Sequence, residues 1–182
     1  MSAFVAIDFE TADPGPDSAC AVGLVRVEDG RIARRESCLI RPPRARFVFT
    51  WVHGITWEDV AGRPTFGELW PGLEPIIDGA DFLAAHNARF DRAVLEACCR
   101  SAGLAAPKQP FECTVKLARK VWGIRPTKLS DVCRALDIRL NHHEALSDAE
   151  ACARIVIAAT EARPDGTSRP ASARRAGRSS RP

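Results

Sequence analysis

Tyrosine is absent from the 182-residue chain and methionine occurs once. No apolar run approaches the ~18 residues that a membrane span needs, and the N-terminus lacks the basic start and apolar stretch of a secretory signal. These absences argue against a membrane partner and lead us to expect a cytoplasmic protein. The seven cysteines (Cys20, Cys38, Cys98, Cys99, Cys113, Cys133 and Cys152) are odd in number and contain no CxxC pair, so neither a disulfide framework nor a zinc cluster is signalled. They read as free thiols filling small apolar positions, and none has neighbours that would activate a catalytic thiolate. Strong basicity is also missing from most of the chain. After residue 162 there are six Arg against one Asp, so the net charge of +3 leaves the first 162 residues at about −2. A groove built to hold a long duplex by its phosphates is therefore not expected.

What is present suits one globular domain. A hydrophobic content of 46% and a charged content of 27% are ordinary for a soluble chain long enough to bury a core. We expect the domain over 1–162. The Arg-, Ser- and Pro-rich stretch 163–182 holds nothing large and apolar to offset its ordering entropy, and reads as a disordered basic tail. It is either an electrostatic tether to nucleic acid or a partner, or a solvated tail with no specific role. Three strand-like runs come first, at 4–9, 19–27 and 31–40, with "EDG" (28–30) a hairpin signal between the last two. Loop punctuation fills 41–65. Then follow a helix near 66–78, a short strand over 82–86, and helices near 90–102, 114–122 and 128–137. A last helix is expected to start near Ser147, where Ser147 and Glu150 have the spacing of a capping box.

The chemistry begins at "VAIDFETA" (5–12). Side chains alternate along a strand, so Asp8 and Glu10 leave the same face, about 7 Å apart at the backbone. Burying two carboxylates together is costly unless a cation or a base compensates them. A second acid, Asp91 in "HNARFD" (86–91), opens a helix; alone it would be an ordinary dipole-stabilising residue. A third, Asp148 in "HHEALSD" (142–148), opens another helix five residues after His143. Alone, this pair would be a capping acid and a surface histidine. Together, the four carboxylates and one imidazole are the parts of a two-cation phosphoryl-transfer site. Mg²⁺ or Mn²⁺ takes hard oxygen ligands, two such ions clamp the oxygens of an in-line displacement, and a neutral imidazole can accept a proton from water.

"DFET", "HNARFD" and "HHEALSD" resemble, in order, the three motifs of the DEDDh or DnaQ-like 3′–5′ exonucleases, the family of the proofreading epsilon subunit, ribonuclease T and oligoribonuclease. The resemblance covers about residues 3 to 157. It implies an α/β, ribonuclease H-like fold with a mixed five-stranded sheet, three antiparallel strands first, flanked by helices. It also implies roles for two Mg²⁺ (or Mn²⁺) ions. Asp8, Glu10 and Asp148 would hold the ion that binds the attacking water, Asp8 would bridge to the second, and Asp91 would hold that second ion. His143 would be the general base; His142 is adjacent, but the family spacing selects His143. A sister subfamily uses Tyr at that place, and this chain has none.

Thr11 matches the residue that helps bind the terminal 3′-OH. "VHGIT" (52–56) resembles the loop lining the terminal-nucleotide pocket, so His53, Gly54 and Ile55 join Phe9 and Asn87 as candidate substrate-binding residues. The substrate class implied is nucleic acid 3′ ends, DNA rather than RNA, single-stranded or frayed. The same chemistry on RNA or short oligonucleotides, and a non-enzymatic nucleic-acid-binding module on the same fold, are the alternatives. Polymerase or repair proteins would join from another chain, and the sequence leaves the oligomeric state open.

Overall fold

A computed structural model of the chain describes residues 3–162; the basic stretch expected to be disordered, 163–182, lies outside the described residues. Five strands form one sheet in the order β3-β2-β1-β4-β5. Strand β1 (Ala3–Thr11) runs antiparallel to β2 (Ala19–Glu28), which pairs antiparallel with β3 (Arg31–Leu39). On its other side β1 runs parallel to β4 (Phe82–Ala85), which runs parallel to β5 (Phe111–Cys113). The mixed sheet with three antiparallel strands first is the architecture expected.

The hairpin between β2 and β3 turns on Asp29 and Gly30, both at positive φ (49° and 76°), as a two-residue turn matched to strand twist requires. Alternation along β1 feeds two cores. Val5, Ile7 and Phe9 point to one face, where α3 (Phe66–Ile77) and α4 (Arg89–Ser101) pack with Trp70, Leu73, Val94 and Leu95. Phe4 and Ala6 point to the other, covered by α5 (Thr114–Trp122), α6 (Leu129–Leu136) and α7 (Ala145–Glu161). The buried face of α7 is rich in small residues, Ala149, Ala151, Cys152 and Ala153, so this helix lies close against the sheet.

Three local expectations differ from the structure. The region read as loop, 41–65, contains two single-turn helices, α1 (Thr50–His53) and α2 (Trp57–Val60). Strand β5 falls in a stretch for which no element was expected; three residues carry too little periodicity to announce a strand, and its pairing comes from β4. Helix α7 begins at Ala145, with Glu144 as N-cap. The Ser147–Glu150 capping box does not form, because Ser147 Oγ accepts from the amide of Asn141 (2.8 Å) and Glu150 pairs with Arg35 and Arg154. Among the described residues no helix is long and apolar enough to cross a membrane.

Candidate active site

The face of β1 that carries Phe4 and Ala6 continues into Asp8 and Glu10, so both acids project from the α7 side of the sheet near the end of the strand. Across the ladder they meet the two smallest partners available, Gly23 opposite Asp8 and Ala21 opposite Glu10. That leaves room for the first turn of α7. A side chain at Gly23 would lie 2.2 Å from the carbonyl oxygen of Ala145; the absence of one allows the helix start, and Asp148 with it, to settle over Asp8. Asp8, Glu10 and Asp148 each present a carboxylate oxygen within 4.8 Å of the other two.

Asp91 reaches the same end of β1 from the other core. The chain turns at Asn87, a non-glycine residue at φ 67°, and α4 starts two residues later. Asp91 is fully buried and accepts the amide of Phe9 through Oδ1 (3.1 Å). It lies outside the tight trio but close enough that its charge acts on Asp8.

The histidine loop folds over the helix start. Asp148 Oδ2 accepts from His142 Nδ1 (3.0 Å) and from the backbone amide of His143 (3.3 Å). His143 has φ 68°, and the two rings stack with centroids 3.8 Å apart. Side-chain contact with Asp148 is thus made by His142, whereas His143 is held by its amide and by the stack; its exposed ring is available to the cleft.

Burial and mutual repulsion dominate the electrostatics. Asp8 is raised well above the ordinary carboxylate range, first by burial and then by Asp91, Asp148 and Glu10. Glu10 is pushed up to about 7 by burial and by Asp148, and Asp91 to about 7 mainly by burial. Asp148 is also raised by burial, against the lowering influence of His142. No Lys or Arg forms an ion pair with any of the four among the described residues. Asp148 Oδ1 is buried with no hydrogen-bond partner. An orphaned buried carboxylate oxygen beside two further carboxylates is what a hard divalent cation would satisfy; the donor set fits such an ion.

The substrate-binding candidates divide. His53 is a clasp: Nε2 donates to the carbonyl of Thr11 (3.1 Å) and Nδ1 accepts the amide of Ile55 (3.1 Å). Burial lowers its pKa, which favours the neutral ring this arrangement needs. Gly54, at φ 77°, caps α1. Val52, His53 and Ile55 line a cavity of about 410 Å³ with Glu10, His142 and His143. Thr11 lines a second cavity of about 200 Å³ with Phe49 and Phe90. Phe9 is not brought to either. The alternation that puts Asp8 and Glu10 together turns the Phe9 ring into the α3–α4 core, and only its amide serves the site. Asn87 shapes the strand-to-helix corner, its carbonyl accepting the amide of Phe90 (2.9 Å).

Sequence reasoning passed over Gly23 and the loop clamp after β1. There Arg44 binds both Asp13 and Asp17, with bonds of 2.6 to 3.0 Å, holding the 13–17 turn beside Thr11. A glycine inside a β-branched strand is a recognised signal of close backbone approach; the Arg44 clamp, spanning about thirty residues, had no local signal.

With this geometry in place, comparison with known proteins is decisive. The exonuclease family model of the RNase T type matches residues 5–156. The chain belongs to this family of DnaQ-like, DEDDh-type exonucleases. Exodeoxyribonuclease 10 of Escherichia coli K12 is 34% identical over 145 residues, covering 75% of this chain and 59% of that protein. The PolC-type DNA polymerase III of Clostridium perfringens is 33% identical over 158 residues, 84% of this chain and 11% of the polymerase. The chain therefore spans about a tenth of the polymerase relatives it matches. Among solved structures, Exonuclease X in complex with 5′ overhanging duplex DNA superposes with a TM-score of 0.70 at 27% identity, covering 88% of this chain and 92% of that one. Exonuclease I of E. coli bound to a dT13 oligonucleotide, at 16% identity and a TM-score of 0.75 over 91% of this chain and 42% of that one, shares the ribonuclease H-like fold.

Proposed function

We propose that this exonuclease hydrolyses phosphodiesters at the 3′ end of single-stranded or frayed DNA and releases nucleoside 5′-monophosphates. One observation carries the reading: Asp8, Glu10 and Asp148 converge within 4.8 Å, with a buried oxygen of Asp148 left unpartnered, beside two histidines at the mouth of a cavity. Four acids with no Lys or Arg paired to them among the described residues are an expensive arrangement for a binding module, which needs none of them. The kinship with exodeoxyribonuclease 10 and with Exonuclease X supports DNA as the polymer.

In this reading Asp8, Glu10 and Asp148 would hold one Mg²⁺ or Mn²⁺, and Asp91, together with Asp8, would serve a second. Bound divalent ions supply charge neutralisation on the phosphate and a lowered pKa for water. The chain's own residues do the rest. His143, exposed to the cleft at its positive-φ turn, accepts the proton of the attacking water. His142, hydrogen-bonded to Asp148 and stacked under His143, fixes both. The His53 clasp holds the 52–56 loop against Thr11, so the pocket for the terminal nucleotide is in place before substrate arrives.

The test is stepwise shortening of a 5′-labelled oligonucleotide with Mg²⁺ or Mn²⁺, abolished by EDTA and by Asp8→Ala, alongside a matched RNA. A 3′-phosphate block should protect the substrate. His143→Ala should lower kcat by 10²-fold or more with oligonucleotide binding retained, whereas His142→Ala should leave a larger residual rate. Full activity in Asp8→Ala, or an indifferent His143→Ala beside an inactive His142→Ala, would contradict the assigned roles.

A further inference from the structure

Three large apolar side chains stand exposed among the described residues: Val48 (37%), Phe90 (45%) and, far above both, Trp51 (83%). Scattered exposed apolar residues mean little, but these three gather at one end of β1. The amide of Val48 donates to the carbonyl of Ala12 (2.8 Å), and Phe90 precedes Asp91 and shares the smaller cavity with Thr11. Trp51 lies on α1, between Phe49, which lines the cavity beside Thr11, and Val52, which lines the cavity beside Glu10. Helix α1 and its N-cap Phe49 thus give one residue to each of two cavities, one lined by Thr11 and the other by Glu10, next to each other at the end of β1, and Trp51 stands on this ridge with its side chain exposed.

The ridge is braced. Gly54 N–H donates to Thr50 O (2.7 Å), Thr50 Oγ1 donates to Ile55 O (2.8 Å), and the His53 clasp ties the ridge to β1. A single-turn helix this firmly held, with an indole that makes no ring contact among the described residues, presents a rigid aromatic face to solvent. The first 162 residues carry a net charge of about −2, and the four acids add local repulsion, so within this domain phosphate contacts give little grip on a polyanion. Stacking on an aromatic is the alternative that works on unpaired bases of any sequence.

We propose that Trp51 is a stacking platform for an unpaired nucleobase upstream of the terminal nucleotide. This rests on the exonuclease reading and narrows it: substrates long enough to cross the ridge gain affinity from Trp51, and those confined to the terminal pocket do not.

The experiment uses the full chain. Binding of a fluorescein-labelled dT10 and of the matched RNA is measured by anisotropy in EDTA. Hydrolysis is measured with Mn²⁺ on dT10 and on the p-nitrophenyl ester of thymidine 5′-monophosphate, which occupies only the terminal site. Trp51→Ala should weaken dT10 and RNA binding by roughly 5- to 150-fold, the worth of one base–aromatic stack. kcat/KM for the ester should be unchanged, and Trp51→Phe should restore most of the dT10 affinity. Equal binding by wild type and Trp51→Ala overturns the proposal and leaves the residue free to contact a protein. Parallel loss on dT10 and the ester also overturns it, because Trp51 would then be supporting the fold of α1. If the wild-type protein hydrolyses neither substrate yet Trp51→Ala still weakens dT10 binding, the nuclease reading fails while the platform stands.

Discussion

Substituting Gly23 by Ala tests whether the spacing of the acids is set by backbone packing. A methyl group there would sit 2.2 Å from Ala145 O, 2.4 Å from Ala145 C and 2.5 Å from Leu146 N, where ordinary contact begins near 3.4 Å. All three atoms are backbone, so no rotamer change relieves the clash, and the start of α7 must retreat by about 1 Å. Asp148 travels with that turn, since its amide donates to Glu144 O (3.0 Å). Overpacking of this kind costs about 1–3 kcal/mol, which for a domain of this size lowers Tm by about 2–12 °C. The local effect is larger than the global one. Mg²⁺ and Mn²⁺ sites tolerate little error in oxygen placement, so displacing one of three carboxylates should weaken Mn²⁺ binding at least tenfold, read by calorimetry or electron paramagnetic resonance at a temperature where circular dichroism shows the variant folded. Exonuclease activity should fall in step. Gly67→Ala is the control: its methyl would meet only Ala102 Cβ at 3.1 Å, away from the acids, and should leave Mn²⁺ affinity untouched. If Gly23→Ala keeps wild-type Mn²⁺ affinity, the spacing is set by something other than this contact.

The raised carboxylates make a second prediction with a definite sign. Glu10 is pushed up to about 7 in the folded protein against an ordinary value of 4.5, so between about pH 4.5 and 7 the folded state binds more protons than the unfolded one. Stability of the metal-free protein therefore falls as pH rises through that window, by on the order of 3 kcal/mol from this group. Thermal melts in EDTA should show a lower Tm at pH 7.5 than at pH 5.5, and Mn²⁺ should raise Tm more at pH 7.5; equal Tm values in EDTA would refute the mutual burial of the acids. Asp13 and Asp17 work in the opposite sense. Their pKa values are lowered, chiefly by hydrogen bonds from Arg44, so the clamp's contribution is present at neutral pH and lost as pH falls through the ordinary carboxylate range and below. Because Asp13 is buried and Arg44 partly exposed, Arg44→Ala should cost about 1–3 kcal/mol near neutrality. A double-mutant cycle with Asp13→Asn should recover part of that loss, and purely additive effects would show that the two side chains are not coupled.

How much of this was legible depends on the range over which each feature is determined. The acids at the end of β1 were readable because strand alternation is a two-residue rule, and the order of the three motifs held because each lies within a short segment. The capping of α7 was not, although its start near Ser147 and the place of Asp148 in its first turn were. A Ser-x-x-Glu spacing forms a working box only when both side chains are free, and here Arg35, 115 residues away in sequence, takes Glu150. The same spacing at Thr65 and Glu68 does close a box, Thr65 N donating to Glu68 Oε2 (2.7 Å), and the ion pair that Glu68 makes with Arg41 is looser, at 3.9 Å. Choosing between His142 and His143 meets a similar barrier, because adjacent residues differ only in what the turn does with them, and a positive φ at a histidine has no composition signature. Phe9 is the instructive case. Pairing Asp8 with Glu10 on one face already required the residue between them to point to the other, so its assignment to substrate contradicted the same rule that located the acids. Gly23 follows from that rule as well: once a strand commits two acids to one packed face, the neighbouring strand must leave space beside them for whatever element brings the third. A glycine in the middle of "ACAVGLVRV" marks where that element arrives.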